Sequence, residues 1–222
     1  MFHKLEKGLV VSCQALEGEP LHGGDTMLKM AKAAKEGGAV GIRTSGYCDI
    51  KQIKENLDLP VIGLIKKRYE PYEAYITPTK KEVDLTFWAG ADIIAIDATL
   101  QTRPYPLDKL INYIKREYGK PILADISTFE EAENALSLGC DAVGITLSGY
   151  TEYTKDEDKP NFQLLKELAS KMNVPVVAEG NISTPELAKK AMELGASFVV
   201  VGSAITRPQI ITRRFSEAIR NE

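Results

Sequence analysis

One short pattern occurs four times along the chain and limits what it can fold into. Its copies are Gly37-Gly38-Ala39-Val40-Gly41-Ile42-Arg43, Gly90-Ala91-Asp92-Ile93-Ile94-Ala95-Ile96-Asp97, Gly139-Cys140-Asp141-Ala142-Val143-Gly144-Ile145-Thr146 and Gly195-Ala196-Ser197-Phe198-Val199-Val200-Val201-Gly202. They recur about every 50 residues. Each joins a helix-stopping glycine to a nearly unbroken run rich in β-branched residues, as a parallel strand buried on both faces requires. A second series, opened each time by proline, lies between them: Pro60-Val61-Ile62-Gly63-Leu64-Ile65, Pro121-Ile122-Leu123-Ala124-Asp125 and Pro175-Val176-Val177-Ala178-Glu179, with Gly8 to Cys13 as its first member. Intervening stretches such as Asp25 to Glu36, Thr128 to Leu138 and Thr184 to Leu194 carry apolar residues at helical spacing. Thr128 and Thr184 suit helix N-caps, and Glu131 would complete a capping box with Thr128. Strand-then-helix units of about 25 residues predict an α/β chain folded as a single (β/α)8 TIM barrel domain over 1–222. An open sheet of eight strands is the alternative.

Composition narrows the partners. The 222 residues are 44% hydrophobic and 27% charged, enough to bury a core without disulfides or structural metal. A net charge of −3 gives nucleic acid or an anionic membrane no general electrostatic purchase. Cys13, Cys48 and Cys140 form no CxxC pair, which suits a reducing compartment, and no leader or apolar run of about 18 residues is evident. A cytoplasmic protein is expected.

In such a barrel the reacting groups gather at the C-terminal strand ends. Reading along the chain, those ends carry Ser12-Cys13-Gln14, Arg43, Lys66-Lys67-Arg68, Asp97, Asp125, Thr146, Glu179 and Gly202-Ser203. Asp97 and Ser127 fit a capping role as well as a chemical one. Arg43 needs an anionic partner or several acceptors if buried, and Lys66, Asp125 and Glu179 together point to chemistry or to a structural ion-pair network. Strand parity puts Lys66 on one face with Ile62 and Leu64, and Lys67 on the other with Gly63 and Ile65, without saying which face is inward. The turns Glu179-Gly180-Asn181-Ile182 and Gly202-Ser203-Ala204-Ile205 fall after the seventh and eighth strands, where barrels bind phosphate, and Arg207 follows. The polar stretch Thr151 to Asn161 is expected to be a mobile loop at this end. Arg207 to Glu222, with Ile210, Ile211, Phe215 and Ile219 on one face, reads as an amphipathic last helix that closes the barrel or contacts another subunit.

Taken together, Ser12-Cys13-Gln14-Ala15-Leu16 with Glu19-Pro20-Leu21, the Arg43 run, Pro60-Val61-Ile62-Gly63 leading to Lys66, Ile96-Asp97-Ala98-Thr99 and Ala124-Asp125-Ile126 form a specific set. Thr146-Leu147-Ser148-Gly149-Tyr150-Thr151, Ala178-Glu179-Gly180-Asn181 and Gly202-Ser203-Ala204-Ile205-Thr206-Arg207-Pro208 complete it. Nearly end to end, the chain resembles the N-acetylmannosamine-6-phosphate 2-epimerases (N-acylglucosamine-6-phosphate 2-epimerases) of bacterial sialic acid breakdown. The resemblance implies interconversion of N-acetylmannosamine 6-phosphate and N-acetylglucosamine 6-phosphate without metal or redox cofactor. It implies Lys66 as the acid/base lysine, Glu179 as its carboxylate partner, and Gln14, Arg43 and Asp125 as substrate-binding groups. Gly180, Asn181, Gly202, Ser203 and Arg207 would bind the phosphate. Glu17 stands where the family commonly has proline, and Ser203 where a second glycine is frequent.

The chemistry sets the demands. Opening the sugar ring makes the C2 proton acidic through an enolate, so the protein must assist opening, remove that proton, return it to the other face and stabilise charge on the C1 oxygen. Lysine is a base only when neutral, against an ordinary pKa of about 10.4; burial and Arg43 would lower it, Glu179 and Asp125 would raise it, and sequence leaves the balance open. The chain lacks a GxGxxG turn, and its two histidines, His3 and His22, both precede the second strand. The rival readings are another phosphosugar barrel, whether isomerase or Schiff-base aldolase, and a non-catalytic phosphosugar sensor. A homodimer through the last helix is also expected.

Overall fold

The computed structural model describes residues 1–156 and 159–220. The eight strands are β1 (Leu9–Cys13), β2 (Gly41–Ser45), β3 (Val61–Leu64), β4 (Ile93–Asp97), β5 (Ile122–Asp125), β6 (Ala142–Gly144), β7 (Val176–Glu179) and β8 (Phe198–Val201). All pair in parallel in sequence order, and β8 returns to β1, so the barrel is closed rather than an open sheet. Around it run α1 (Thr26–Glu36), α2 (Tyr47–Asn56), α3 (Lys80–Trp88), α4 (Leu107–Tyr113), α5 (Phe129–Ser137), α6 (Phe162–Lys171) and α7 (Pro185–Glu193). The eighth unit is short, with α8 (Ser203–Thr206) followed by α9 (Pro208–Arg220).

Both threonine caps form. The Glu131 N–H donates to Thr128 Oγ1 (3.2 Å) while the Thr128 N–H donates to Glu131 Oε2 (3.0 Å), and Thr184 Oγ1 accepts from the Leu187 N–H ahead of Pro185. Three strand boundaries differ from those read off the sequence. β2 runs on past Arg43 because Thr44 and Ser45 still pair with Gly63 and Leu64, so Arg43 sits mid-strand. β3 stops at Leu64, two residues before Lys66, and β6 stops at Gly144, with Thr146 in a following 3-10 turn.

The fourfold repeat builds the N-terminal end of the barrel. There Asp92 Oδ2 accepts from the Val61 N–H (2.8 Å), Asp141 Oδ2 from the Ile122 N–H (2.7 Å), and Ser197 Oγ from the Val176 N–H (3.2 Å). Each side chain thus satisfies the first amide of the strand opened by the preceding proline, a donor otherwise left without a partner. Lys54 and Lys115 pair with the two aspartates.

The bore is filled by hydrocarbon. Val10, Ile62, Leu64, Leu123, Val177 and Val200 belong to one buried cluster, closed below by Phe198, Phe2 and Leu5. Leu5 lies where a Cβ on Gly41 would come within 2.5 Å of it, so that strand must present a glycine to the plug. Because Ile62 and Leu64 are in this cluster, the face shared with Lys66 is the inward one, while Gly63 packs outward against Ala91, Thr86 and Ile50. By the same parity Arg43, Asp97, Asp125, Thr146 and Glu179 all turn inward above the apolar layers.

The stretch Thr151 to Asn161 is a turn-rich loop of which Glu157 and Asp158 lie outside the described residues. Thr151 and Thr154 in it are buried and hydrogen-bonded to each other (2.6 Å). The last helix does not close the barrel: no residue of α9 is buried, and Phe215 and Ile219 are 68% and 80% exposed. Residues 221 and 222 of the expected helix lie outside the described residues. No helix among the described residues is long and apolar enough to cross a membrane.

Candidate active site

At the C-terminal mouth a cavity of about 260 Å³ is lined by Gln14, Arg43, Lys66, Glu179, Gly180, Asn181, Gly202, Ser203 and Arg207 among others. Of the ten residues to which the family resemblance gave a role, all but Asp125 line it, and Asp125 is buried and paired to Arg43; Asp97 and Ser127 do not line it.

Arg43 is the hinge of the site. Its Nη1 and Nη2 donate to Asp125 Oδ1 (3.1 Å) and Oδ2 (2.6 Å), and Nη1 lies 3.1 Å from Glu179 Oε2. Burial alone would lower its pKa, but Asp125 and Glu179 outweigh this and hold it above its ordinary value. The guanidinium is therefore a permanent cation, 1% exposed. Its Nε and the Oε1 of Gln14 are buried without hydrogen-bond partners among the described residues, which leaves one donor and one acceptor for a ligand at the mouth. Gln14 Nε2 donates to Ser12 Oγ (2.8 Å).

Glu179 is pushed up to about 7, first by burial and then by the charge of Asp125, against the pull of Arg43. The Thr146 hydroxyl lies 2.6 Å from Asp125 Oδ1 and 3.3 Å from Glu179 Oε2. Its single proton goes to the nearer oxygen, that of Asp125, so Glu179 when protonated can donate back to the Thr146 oxygen. A carboxyl poised near neutrality is suited to give and take protons.

Lys66 has the opposite shift. Burial first, then Arg43, lower its pKa, and the carboxylates only partly oppose them. Among the described residues it forms no ion pair. The net direction left open by the sequence is thus toward a neutral amine. Lys67 and Arg68 are exposed, as a solvated pair would be.

The two glycine turns flank this centre. Gly180 and Asn181 both have positive φ, +105° and +53°, and Asn181 Nδ2 donates to the Tyr150 hydroxyl (2.8 Å). A Cβ on Gly202 would stand 3.3 Å from that of Ser12, so the glycine also lets β8 close against β1. Arg207 is fixed by Glu19 at 3.1 Å. Asp97 has a local role: it accepts from Thr99 Oγ1 (2.6 Å) and from the Tyr75 N–H (3.3 Å), with Arg103 at 3.7 Å. Ser127 Oγ donates to Glu131 (2.7 Å), a capping rather than a mouth position.

Comparison with known proteins places this geometry. Residues 27–221 match the NanE family, described as "Putative N-acetylmannosamine-6-phosphate epimerase". The chain belongs to this family. Relatives described in the same words as 2-epimerases include one from Caldanaerobacter subterraneus subsp. tengcongensis, 57% identical over 99% of this chain and 94% of the relative. Another, from Clostridioides difficile, is 53% identical over 99% of both. Among solved structures, the N-acetylmannosamine-6-phosphate 2-epimerase from Clostridium perfringens superposes with a TM-score of 0.95 at 49% identity, covering 98% of this chain and 96% of that one. A thiamine phosphate pyrophosphorylase from Pyrococcus furiosus, 20% identical with a TM-score of 0.64, shares the fold alone.

The cavity of this NanE chain also includes Tyr75, Tyr150 and Arg214, which sequence reasoning did not select. Tyr150 lay in plain view beside Thr146-Leu147-Ser148-Gly149. Tyr75 and Arg214 stand in no motif: the first is carried by the loop after β3 and the second by α9, of which Arg214 is the residue that lines the cavity.

Proposed function

We propose that Lys66 and Glu179 interconvert N-acetylmannosamine 6-phosphate and N-acetylglucosamine 6-phosphate by moving the C2 proton of the ring-opened sugar, in the cytoplasmic breakdown of amino sugars. The observation that carries this reading is the pairing of a half-buried, unpaired lysine with a carboxyl held near 7 at one mouth. Lys66 takes the C2 proton as a neutral amine; Glu179, protonated, assists opening at the ring oxygen. Arg43 and Asp125 orient the sugar with Gln14, and the Gly180-Asn181 and Gly202-Ser203 turns with Arg207 hold the phosphate. That remote anchor positions C2 against the amine. The test is proton NMR in heavy water: deuterium enters at C2 of both epimers, exhaustive chelation leaves the rate unchanged, and unphosphorylated N-acetylmannosamine reacts poorly. Equal kcat/KM on the free sugar overturns the phosphate site.

A homodimer through α9 is part of the proposal. The seam between β8 and β1, where a barrel's last helix ordinarily packs, is here an apolar groove lined by Leu9, Pro185, Ala188, Met192, Val199 and Val201. No residue of α9 lines it, while the apolar face of that helix is exposed. The face and the groove match if α9 of a second copy is the occupant. Sedimentation then gives a dimer that Phe215→Asp weakens; a monomer at working concentrations means that α9 folds back on its own barrel.

A further inference from the structure

The reaction proposed above needs a donor for the C1 oxygen as negative charge builds on it, and most donors at the mouth are already committed. Thr146 gives its proton to Asp125, Gln14 Nε2 donates to Ser12, and both terminal nitrogens of Arg43 face carboxylates. Tyr75 is different. It lines the cavity beside Lys66, and among the described residues its hydroxyl makes no hydrogen bond. Tyr150, which also lines the cavity, has its hydroxyl engaged by Asn181 Nδ2.

Its backbone is held on both sides. The Lys67 N–H donates to the Tyr75 carbonyl (2.9 Å), Lys66 and Ile76 form an antiparallel bridge, and the Tyr75 N–H donates to Asp97. The Arg68 guanidinium covers the ring at 4.8 Å. The segment after β3 that carries the base and the segment that carries the phenol are therefore one fixed unit, which is the preorganisation that electrostatic catalysis demands. Burial, with the charges of Asp97 and Asp125, raises the phenol pKa, so it remains a donor over the working range.

We propose that Tyr75 is a further catalytic residue, whose hydroxyl donates a hydrogen bond to the C1 oxygen of the ring-opened sugar as the enolate forms. In that step the C2–H bond breaks and its proton passes to Lys66 Nζ. The electron pair forms the C1–C2 double bond, and the C1 carbonyl π pair moves to the oxygen that Tyr75 contacts. Reprotonation at C2 from the other face returns the electron pair on the C1 oxygen to the carbonyl and leaves the inverted centre. The inference rests on the epimerase reading.

The test is Tyr75→Phe, which removes only the unpartnered oxygen. Turnover and C2 deuterium exchange should fall together by about a hundredfold, as for loss of an oxyanion donor. KM should hardly change, because the contact strengthens only in the transition state. Placing 3-fluorotyrosine at the position keeps the hydroxyl and should restore turnover. A kcat within twofold of wild type, or a loss confined to KM, overturns the assignment while wild-type activity leaves the epimerase reading standing. A wild-type protein inert on both phosphosugars overturns that reading and the inference with it. If Tyr75→Phe melts well below wild type, restored melting temperature without restored turnover in the fluorotyrosine protein also counts against the proposal.

Discussion

The two ends of this barrel use carboxylates in opposite ways. At the N-terminal end Asp92 and Asp141 each have a lysine and a strand-opening amide to themselves, and both are partly open to water. At the C-terminal end Asp125 and Glu179 share one buried guanidinium, and the lysine nearby is given no counter-ion. The first pair of carboxylates has every partner it needs and lies far from the cavity. In the crowded mouth the protonation equilibria of Glu179 and Lys66 are displaced, which is what a proton-transfer site requires. The sequence motif that repeats is the one at the satisfied end; the residues at the reactive end differ from strand to strand.

The largest expected effect comes from removing the amine. Lys66→Ala should lower epimerisation and C2 exchange by about a thousandfold or more, within the range for losing a general acid/base group. Its melting temperature should match or exceed wild type, since no ion pair is lost. Near-normal exchange in the folded variant would rule Lys66 out and erase the functional contrast between the ends.

The second effect concerns pH. With Glu179 titrating at about 7, the profile of kcat/KM should carry a limb near that value, and Glu179→Gln should remove it. The same shift has a stability sign. A carboxyl with its folded pKa raised favours the fold in its protonated form, so its contribution is full below about 4.5 and is lost as pH rises through about 7. Thermal melts of Glu179→Gln should accordingly gain on wild type as pH goes from 5 to 8; parallel curves would mean that the carboxyl is not displaced.

The smallest effects sharpen the comparison directly. Asp125→Ala leaves Arg43 half-neutralised in the interior and should cost about 3–5 kcal/mol, with activity lost. Asp141→Ala removes one backbone bond and one partly exposed pair and should cost about 1–2 kcal/mol, with kcat within twofold of wild type. Denaturant melts of the two proteins measure the difference; equal costs would mean that the two ends are built alike.

Much of this was legible in the sequence, and the exceptions have physical reasons. The strand runs are local, so Asp125 and Glu179 could be placed on strand ends, and Lys66 just beyond one, from neighbouring residues alone. Arg43 was found but set at a terminus, because how far β2 runs depends on Ser45 meeting Leu64, a partner some twenty residues on. The plug formed by Phe2 and Leu5 left no pattern, since a segment of 3-10 turn is too short to show a period. Tyr75 was missed for the same kind of reason: its position comes from a bridge to Lys66 across a loop. The sign of the Lys66 shift depends on burial and on distances to four charges, those of Arg43, Glu179, Arg207 and Asp125, which spacing along a chain does not encode.

The plugged bore has an electrical consequence. Hydrocarbon beneath Arg43, Asp125 and Glu179 has little to reorient, so these charges are screened almost wholly from the solvent side. A sugar phosphate settling on the mouth displaces that water and strengthens every field across the site at once. In the proposed reaction Glu179, Lys66 and Tyr75 would therefore act in a medium of low permittivity that the ligand itself completes.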